Sequence, residues 1–117
     1  MLLASALESA GPLSQVVFIH DYVQLRFQEA SLSLYSRLTI ESGNGVLDRT
    51  DSNFAGAVVG LIGQWIASID YRPGDHLRLM FSGGMTIVTS LRAEDCNGPE
   101  HFHLNQPGLP LVVEQVA

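Results

Sequence analysis

The amino-acid sequence predicts an α+β domain that is mainly antiparallel β, with two related strand–hairpin units, one connecting helix and a short N-terminal helix. Three observations carry this prediction. Apolar and polar residues alternate over several segments, turns rich in Gly and Pro separate those segments, and two stretches of the chain resemble each other. The 117 residues fit one domain that can bury a core without disulfides or metals, so we expect a single domain over residues 1–117.

The first β region follows a short apolar N-terminus. Residues 2–9 predict a short helix, which the breaker pair at 11–12 ends. The composition of residues 15–40 predicts β structure, and every second residue of 23–27 is apolar, which sends those side chains to one face of a sheet. Residues 42–45 predict a turn. The same alternation continues at Leu32, Leu34 and Leu38.

A helix is predicted between the two β regions, over residues 53–61. Asp51 or Ser52 would cap its N-terminus through a side-chain oxygen. Gly56 and Gly60 weaken the helix by about 1 kcal/mol each relative to Ala, and they would let it lie close to a sheet. The residues at helical spacing are Phe54, Ala57, Val58 and Leu61.

The second β region begins with a predicted strand at 65–70 and a turn, Arg-Pro-Gly-Asp, at 72–75. Two alternating segments, 77–81 and 85–89, flank the sequence Ser-Gly-Gly at 82–84. Since such short Gly-rich connections join antiparallel strands, these segments predict a β-hairpin.

The C-terminal part predicts a turn at 97–99 and two closing strands, at 101–104 and 109–116. Pro107 and Pro110 mark the loop between these strands. Because Pro cannot donate a backbone hydrogen bond to a neighbouring strand, the two prolines favour an edge position.

An internal repeat is the most informative pattern in the chain. Residues 15–22 align with 64–71, with three identical positions, and 23–27 then align with 77–81 once 72–76 are treated as an insertion. A three-stranded unit of this kind cannot bury its apolar face alone, so we expect the two copies to pack together or to share a sheet. The predicted units occupy approximately residues 15–35 and 64–89.

The charge distribution limits the classes of partner. The formal net charge is −6, and only 15% of the residues are charged, which favours a homodimer or a protein partner that covers apolar surface. The acidic balance suits a basic partner protein, or serves solubility alone. The six basic residues are scattered arginines, so we expect no nucleic-acid binding. With no long apolar segment and no basic leader, we expect a cytoplasmic protein without membrane contact.

Two histidines are the candidate metal ligands. His101 and His103 are two residues apart in a predicted strand, so both would point to one face. Glu100, Cys96 or Asp95 could complete such a site, although Glu100 would face the opposite side of the strand. The alternative is a pair of partly exposed strand histidines, and we expect no cofactor.

Other reactive residues also have structural explanations. Cys96 beside a histidine is a candidate thiol nucleophile, but nothing in the sequence provides a third group to orient the base, and an inert thiol is favoured. Asp21 and Asp70 match in the repeat and could form a carboxylate pair, or each could cap a turn at the end of a strand. Tyr22 and Tyr71 also match, and Trp65 is expected in the core.

The segments at 21–27, 61–69 and 77–84, with a helix between the first two, resemble a group of small bacterial domains of unknown function. The resemblance covers roughly residues 13–113, and its motifs describe hairpins and turns. It implies a stand-alone bacterial protein from loci of the toxin–immunity kind, and it supplies no catalytic residues.

Three functions follow as hypotheses. The first is a non-enzymatic protein-binding domain, in its sharpest form an immunity-type inhibitor of a bacterial toxin. The alternative is a small-ligand or metal-binding module that uses the His101/His103 strand. The third is a hydrolase, which requires a pocket with a nucleophile within hydrogen-bonding distance of a base.

Overall fold

Ten strands and three short helical segments make up the part of the chain that the structure describes, residues 2–96, 98–108 and 111–115 of a computed structural model. The strands are β1 (Leu13–Ile19), β2 (Tyr22–Phe27), β3 (Ser31–Leu34), β4 (Leu38–Ser42), β5 (Gly45–Asp48), β6 (Ile66–Arg72), β7 (His76–Phe81), β8 (Thr86–Ser90), β9 (Glu100–Asn105) and β10 (Val112–Gln115). The helices are α1 (Leu2–Glu8) and α2 (Phe54–Val59), and a 3-10 turn spans Ala93–Asp95.

The strands form two five-stranded antiparallel sheets. The first sheet has the order β1-β2-β3-β9-β10, and the second has the order β5-β4-β8-β7-β6. The chain passes from the first sheet to the second through residues 35–37, between β3 and β4. The predicted fold class, mainly antiparallel β with short helices, is confirmed.

The hydrophobic core lies between the two sheets. Strands β2 and β7 bury every second residue, as the alternation predicts for strands with one covered face. Phe27 of the first sheet stacks on Phe81 of the second, with 6.3 Å between the ring centroids, and Tyr71 meets Phe102 edge-on. The buried residues of the two strands are Val23, Leu25 and Phe27 in β2, and Leu77, Leu79 and Phe81 in β7.

Both predicted helices are present. Helix α1 contacts β6 and buries Leu3, Ala6 and Leu7, which lie on one face at spacings of three and four residues. Helix α2 buries Phe54 and Val58 in the same way. Neither helix of the described residues is long and apolar enough to cross a membrane.

The predicted cap of α2 is wrong. The N-cap residue is Asn53, and its side chain makes no capping hydrogen bond. Asp51 instead accepts a hydrogen bond from the backbone N–H of Asp48, so its carboxylate stabilises the loop before the helix.

The turn predictions are largely confirmed. At 72–75 the Asp75 N–H donates to the Arg72 carbonyl over 3.0 Å, and Gly74 has a φ of +79°, as a type II turn requires. Residues 82–85 join β7 to β8, so the predicted Ser-Gly-Gly connection is one residue longer. The turn at 42–45 belongs to a β4–β5 hairpin that the sequence did not predict.

The C-terminal strands are partly confirmed. Strand β9 begins one residue earlier than predicted, and β10 forms the edge of the first sheet, where the proline pattern predicted an edge. Residues Asn97, Leu109, Pro110 and Val116, which belong to the predicted turn and strand, lie outside the described residues.

Each predicted unit is a three-stranded meander, β1–β2–β3 in the first sheet and β6–β7–β8 in the second. Both meanders have a register shift in their first strand, after Leu13 in β1 and after Ile66 in β6. The residues opposite these positions are Phe27 and Phe81, which the sequence alignment also matched. Descent of the two units from one ancestral sequence stays a prediction.

The alignment of 15–22 with 64–71 is wrong as a structural match. Tyr22 begins β2 and pairs with Ile19 across a tight turn, whereas Tyr71 lies within β6 opposite Leu77. Strand β6 continues to Arg72, so Asp21 of the first Asp-Tyr pair lies in a turn, whereas Asp70 of the second lies within a strand.

Candidate functional site

An open groove lies at the passage between the two sheets, where separate parts of the chain meet. It has a volume of about 840 Å³ and is lined by residues 20–22, 35–38, 48–50, 95 and 98–100. These segments are the β1–β2 turn, the passage from β3 to β4, the loop after β5, and the stretch that leads into β9. Small-molecule sites commonly have volumes of roughly 300–1,000 Å³. The groove is therefore the candidate functional site.

Tyr22 and Tyr35 form an aromatic wall of the groove, with ring centroids 4.8 Å apart. His103 lies beside Tyr35, and its Nδ1 is 3.3 Å from the Tyr35 hydroxyl while its Nε2 is 2.7 Å from a Glu100 carboxylate oxygen. A neutral imidazole with this geometry donates to Glu100 and accepts from Tyr35. Burial raises the pKa of Tyr35, which keeps its hydroxyl protonated and able to donate. These bonds hold the Tyr35 ring in place.

Arg37 and Arg49 supply the positive charge of the groove. The backbone of Arg37 is fixed on both sides, because its N–H donates to Asp95 O and its carbonyl accepts from Ser90 N–H, each over 3.0 Å. Arg49 Nη2 donates to the Ile19 carbonyl over 3.2 Å, which ties the loop after β5 to the end of β1. Both arginine side chains remain exposed to solvent.

These two arginines differ from most of the others in the chain in their ion pairing. Within the described ranges, no carboxylate forms an ion pair with Arg37 or Arg49. Asp48 is near enough for Arg37 to contribute to the lowering of its pKa, although hydrogen bonds from Thr50 are the main cause. The arginines that do form ion pairs are Arg72 with Asp70, Arg78 with Glu41, and Arg92 with Asp75.

The loop that carries Arg49 is held by its own carboxylates. Asp48 Oδ1 accepts from the N–H of Thr50 over 2.9 Å and from its hydroxyl over 2.5 Å, and Asp51 accepts from the Asp48 N–H over 2.9 Å. Asp95, farther along the groove, accepts from the Ser90 hydroxyl over 2.7 Å. One carboxylate oxygen each of Asp48 and Asp95 is therefore already hydrogen-bonded within the protein.

Ser36 and His101 form a buried pair at the inner side of the groove, with relative exposures of 8% and 1%. The Ser36 hydroxyl is hydrogen-bonded to His101 Nδ1. Burial lowers the pKa of His101, so its imidazole is neutral near pH 7 and can accept this proton. Among the described side chains, no carboxylate forms an ion pair with His101. The pair thus combines a hydroxyl, the type of group that acts as a nucleophile, with an imidazole, the type that acts as a base. Within the described residues, no carboxylate orients this imidazole.

The two histidines that the sequence offered as metal ligands contact different side chains. His101 contacts Ser36, whereas His103 contacts Tyr35 and Glu100. In the part of the chain that the structure describes, no three His, Cys, Asp or Glu side chains come together to hold a metal ion. These residues therefore supply no set of ligands for the predicted metal site.

The expectation that Glu100 faces away from the histidines is wrong. In the pairing of β9 with β10, Phe102 lies opposite Glu114 and Glu100 lies opposite Gln115, which leaves His101 as an extra residue. Such a bulge disrupts the alternation of side chains along the strand. The Glu100 carboxylate consequently reaches His103.

The remaining reactive candidates are not brought together as catalytic sets. Asp21 lies in the exposed β1–β2 turn, whereas Asp70 lies within β6 and contacts His76, so the alternative of a carboxylate pair is not realised and Asp70 does not cap a turn. The Cys96 thiol donates to the Glu100 carbonyl over 3.0 Å. These contacts support structural roles for Asp70 and Cys96.

Trp65 lies in an environment that differs from the expectation, whereas Tyr71 packs against the core. Trp65 is 54% exposed, although it was expected in the core, because it precedes the buried Ile66 and neighbouring residues point to opposite faces. The Tyr71 hydroxyl donates a hydrogen bond to Glu114. Burial is the main cause, and this hydrogen bond the second cause, of a Tyr71 pKa raised to about 12.

Comparisons of the chain with protein-family models, with curated proteins and with solved structures found no match. Sequence reasoning missed the groove because its residues come from distant segments. One local pattern could have pointed to a fixed arginine: an Asp two residues before a Thr favours the turn that presents Arg49.

Proposed function

We propose that this protein is a non-enzymatic protein-binding domain that uses the groove between the sheets as its recognition surface. The observation that carries the proposal is the combination of an aromatic wall, Tyr22 and Tyr35, with two guanidinium groups, Arg37 and Arg49, on fixed backbone. Tyr and Arg are the residue types that dominate the binding energy of protein interfaces. The open shape of the groove suits a protruding segment of a partner.

The sharpest form of the proposal is an immunity-type inhibitor that blocks a bacterial toxin, as the resemblance implies. A net charge of −6 supports rapid association with a basic toxin, because opposite charges steer the encounter. A second copy of the chain is the other partner we consider, and the mass in solution distinguishes a homodimer from the 12.7 kDa monomer.

The proposal is tested by co-expression with the product of the neighbouring gene, followed by size-exclusion chromatography and titration calorimetry. We expect a stable complex that Tyr22→Ala weakens by about tenfold or more, as for an interface hot spot. Trp65→Ala is the matched control, since it removes an exposed aromatic side chain outside the groove lining. Absence of a complex, or a complex that is sensitive to Trp65→Ala alone, contradicts the proposal.

A hydrolase is the second candidate, favoured by the Ser36–His101 pair beside the groove. A fluorophosphonate probe distinguishes the candidates, because an activated serine hydroxyl displaces fluoride and forms a phosphonate ester. A binding domain stays unlabelled at its intact mass. Labelling that Ser36→Ala abolishes, and that Ser14→Ala leaves unchanged, would favour the hydrolase.

The small-ligand alternative also uses the groove, next to the strand that carries His101 and His103. The metal form of this hypothesis is tested by elemental analysis of protein purified without a histidine tag. A bound metal close to one equivalent would favour it over the protein-binding proposal.

A further inference from the structure

The charged groups of the groove differ in how they are bonded within the protein. Three of its four carboxylates, Asp48, Asp95 and Glu100, contact side chains or backbone of the protein, and the fourth, Asp21, lies 3.8 Å from His20. In contrast, Arg49 donates one hydrogen bond to a backbone carbonyl, and within the described residues Arg37 has no ion-pair partner. An occupant that matches this lining must bring acceptors for the guanidinium groups.

We propose that the groove binds a single carboxylate that stands next to an aromatic ring, supplied by a peptide segment of the partner. This inference rests on the protein-binding function and specifies the chemistry of its recognition. The carboxylate accepts hydrogen bonds from Arg37 and Arg49, whose planar guanidinium groups match its geometry. The ring packs against Tyr22, the more open member of the aromatic wall, since Tyr35 is held between Tyr22 and His103.

The carboxylates that line the groove limit how many negative groups an occupant can carry. Four carboxylates line the groove together with the two arginines, so each further negative group on an occupant adds repulsion. A single carboxylate gains short, charge-assisted hydrogen bonds, and the neighbouring ring adds apolar contact that those carboxylates do not oppose. This favours an acidic side chain or a chain terminus beside Phe, Tyr or Trp over a nucleic-acid backbone.

The two arginines lie at the same end of the β4–β5 pair, and both line the groove. Thr39 of β4 pairs with Asp48 of β5, so Arg37 and Arg49 lie just beyond the paired ends of adjacent strands. Hydrogen bonds fix the backbone on the Arg37 side and the loop on the Arg49 side. The backbone that carries the two arginines is therefore held before a ligand arrives, which reduces the entropy lost on binding.

The test is an NMR titration of ¹⁵N-labelled protein with N-acetyl-L-tyrosine and with its neutral amide, N-acetyl-L-tyrosinamide. We expect the acid to shift amide signals of residues 20–22, 35–38 and 48–50, with an affinity about tenfold higher than that of the amide. Arg37→Gln and Arg49→Gln should each weaken binding of the acid by about tenfold and leave binding of the amide nearly unchanged.

Arg26→Gln is the matched control, because Arg26 is exposed on β2 and lies outside the groove. It should leave the affinity for the acid unchanged. Equal binding of acid and amide, no shift in the groove, or the same loss in Arg26→Gln overturns the inference. The same spectra report whether each variant is folded.

The partner complex separates this inference from the proposed function. A complex with the neighbouring gene product that survives the double change Arg37→Gln and Arg49→Gln overturns the carboxylate site and leaves the binding function intact. Selective binding of the acid by a protein that forms no complex overturns the protein-binding function and supports the site chemistry.

Discussion

The two meanders share a strand order and differ at the turn that joins their first two strands. In the first meander this turn consists of His20 and Asp21, whose side chains are 98% and 84% exposed and 3.8 Å apart. In the second, His76 bridges two carboxylates, with Nδ1 2.9 Å from Asp75 and Nε2 3.1 Å from Asp70. The first turn lines the groove and is exposed to solvent. The second turn is held by contacts among its own charged side chains, and we call it the closed turn.

The ion pair between Arg92 and Asp75, 3.1 Å long, extends the closed turn to the segment after β8. The Leu91 N–H also donates to the Asp75 carbonyl over 2.9 Å. Two units with the same strand order therefore differ in how their turn residues are bonded. The second turn is held by contacts within the protein, and the first is exposed beside the groove.

The largest effect should come from the contact that joins the two units. Phe27→Ala and Phe81→Ala should each lower the free energy of unfolding by about 3–5 kcal/mol, because each empties part of a close-packed core. Urea denaturation measures both. The double variant should lose less than the sum of the two, since the rings contact each other. A near-native stability for either single variant would show that the units do not share one core.

A smaller loss is expected at the passage between the sheets. Ser36→Ala should lower the free energy of unfolding by about 1–3 kcal/mol, because it leaves a buried ring nitrogen of His101 without its hydroxyl partner. Ser14→Ala, at an exposed hydroxyl that donates to the Arg26 carbonyl, should change it by less than about 0.5 kcal/mol. Equal effects in thermal or urea unfolding would contradict a special role of the Ser36–His101 contact.

A substitution that strains the backbone of the closed turn should destabilise the protein. Gly74→Ala should cost about 1–2 kcal/mol, because a φ of +79° is strained for a residue with a Cβ even though no atom lies near the added carbon. Gly43→Ala adds the same carbon in open space at a position without positive φ, and it should leave stability unchanged or slightly raised. The difference between the two variants isolates the backbone contribution.

The smallest effect is a dependence on pH that belongs to the closed turn. Hydrogen bonding from His76 lowers the pKa of Asp70, and Arg92, followed by His76, lowers the pKa of Asp75. Because the folded-state values lie below the unfolded value of about 3.9, this stabilisation is complete above that pH and is lost as the pH falls through the folded values.

Asp75→Asn should therefore flatten the decline of the unfolding free energy below about pH 4. Phe27→Ala is the control, because it should lower the whole curve without changing its slope in that range. An unchanged slope in Asp75→Asn would show that the charges of this turn do not respond to folding.

The sequence predicted the elements whose causes are local. The type II turn at 72–75 follows from Pro and Gly at their required positions, and the hairpin at 77–89 follows from alternation around a Gly-rich connection. Phe27 and Phe81, which the alignment matched, contact each other across the core, although the alignment did not predict this contact.

Features that depend on pairing between distant segments were missed. Strand β5 has only Val46 and Leu47 as apolar residues, too few for an alternating pattern, and it is defined by its pairing with β4. The orientation of Glu100 depends on a bulge against β10, which alternation within β9 cannot reveal. The groove requires Arg37 and Arg49 to meet the β1–β2 turn, which only the tertiary fold brings about.

The way the two sheets are joined also determines the kinetics of folding. Each meander pairs strands that are neighbours in the chain, so it can form by closing short loops. The sheets are completed by pairing Leu38 with Thr89 and Leu34 with Phe102, which closes much longer loops. Such nonlocal pairing slows folding. The rate should therefore be limited by the joining of the two halves, and a permuted chain that shortens these loops should fold faster.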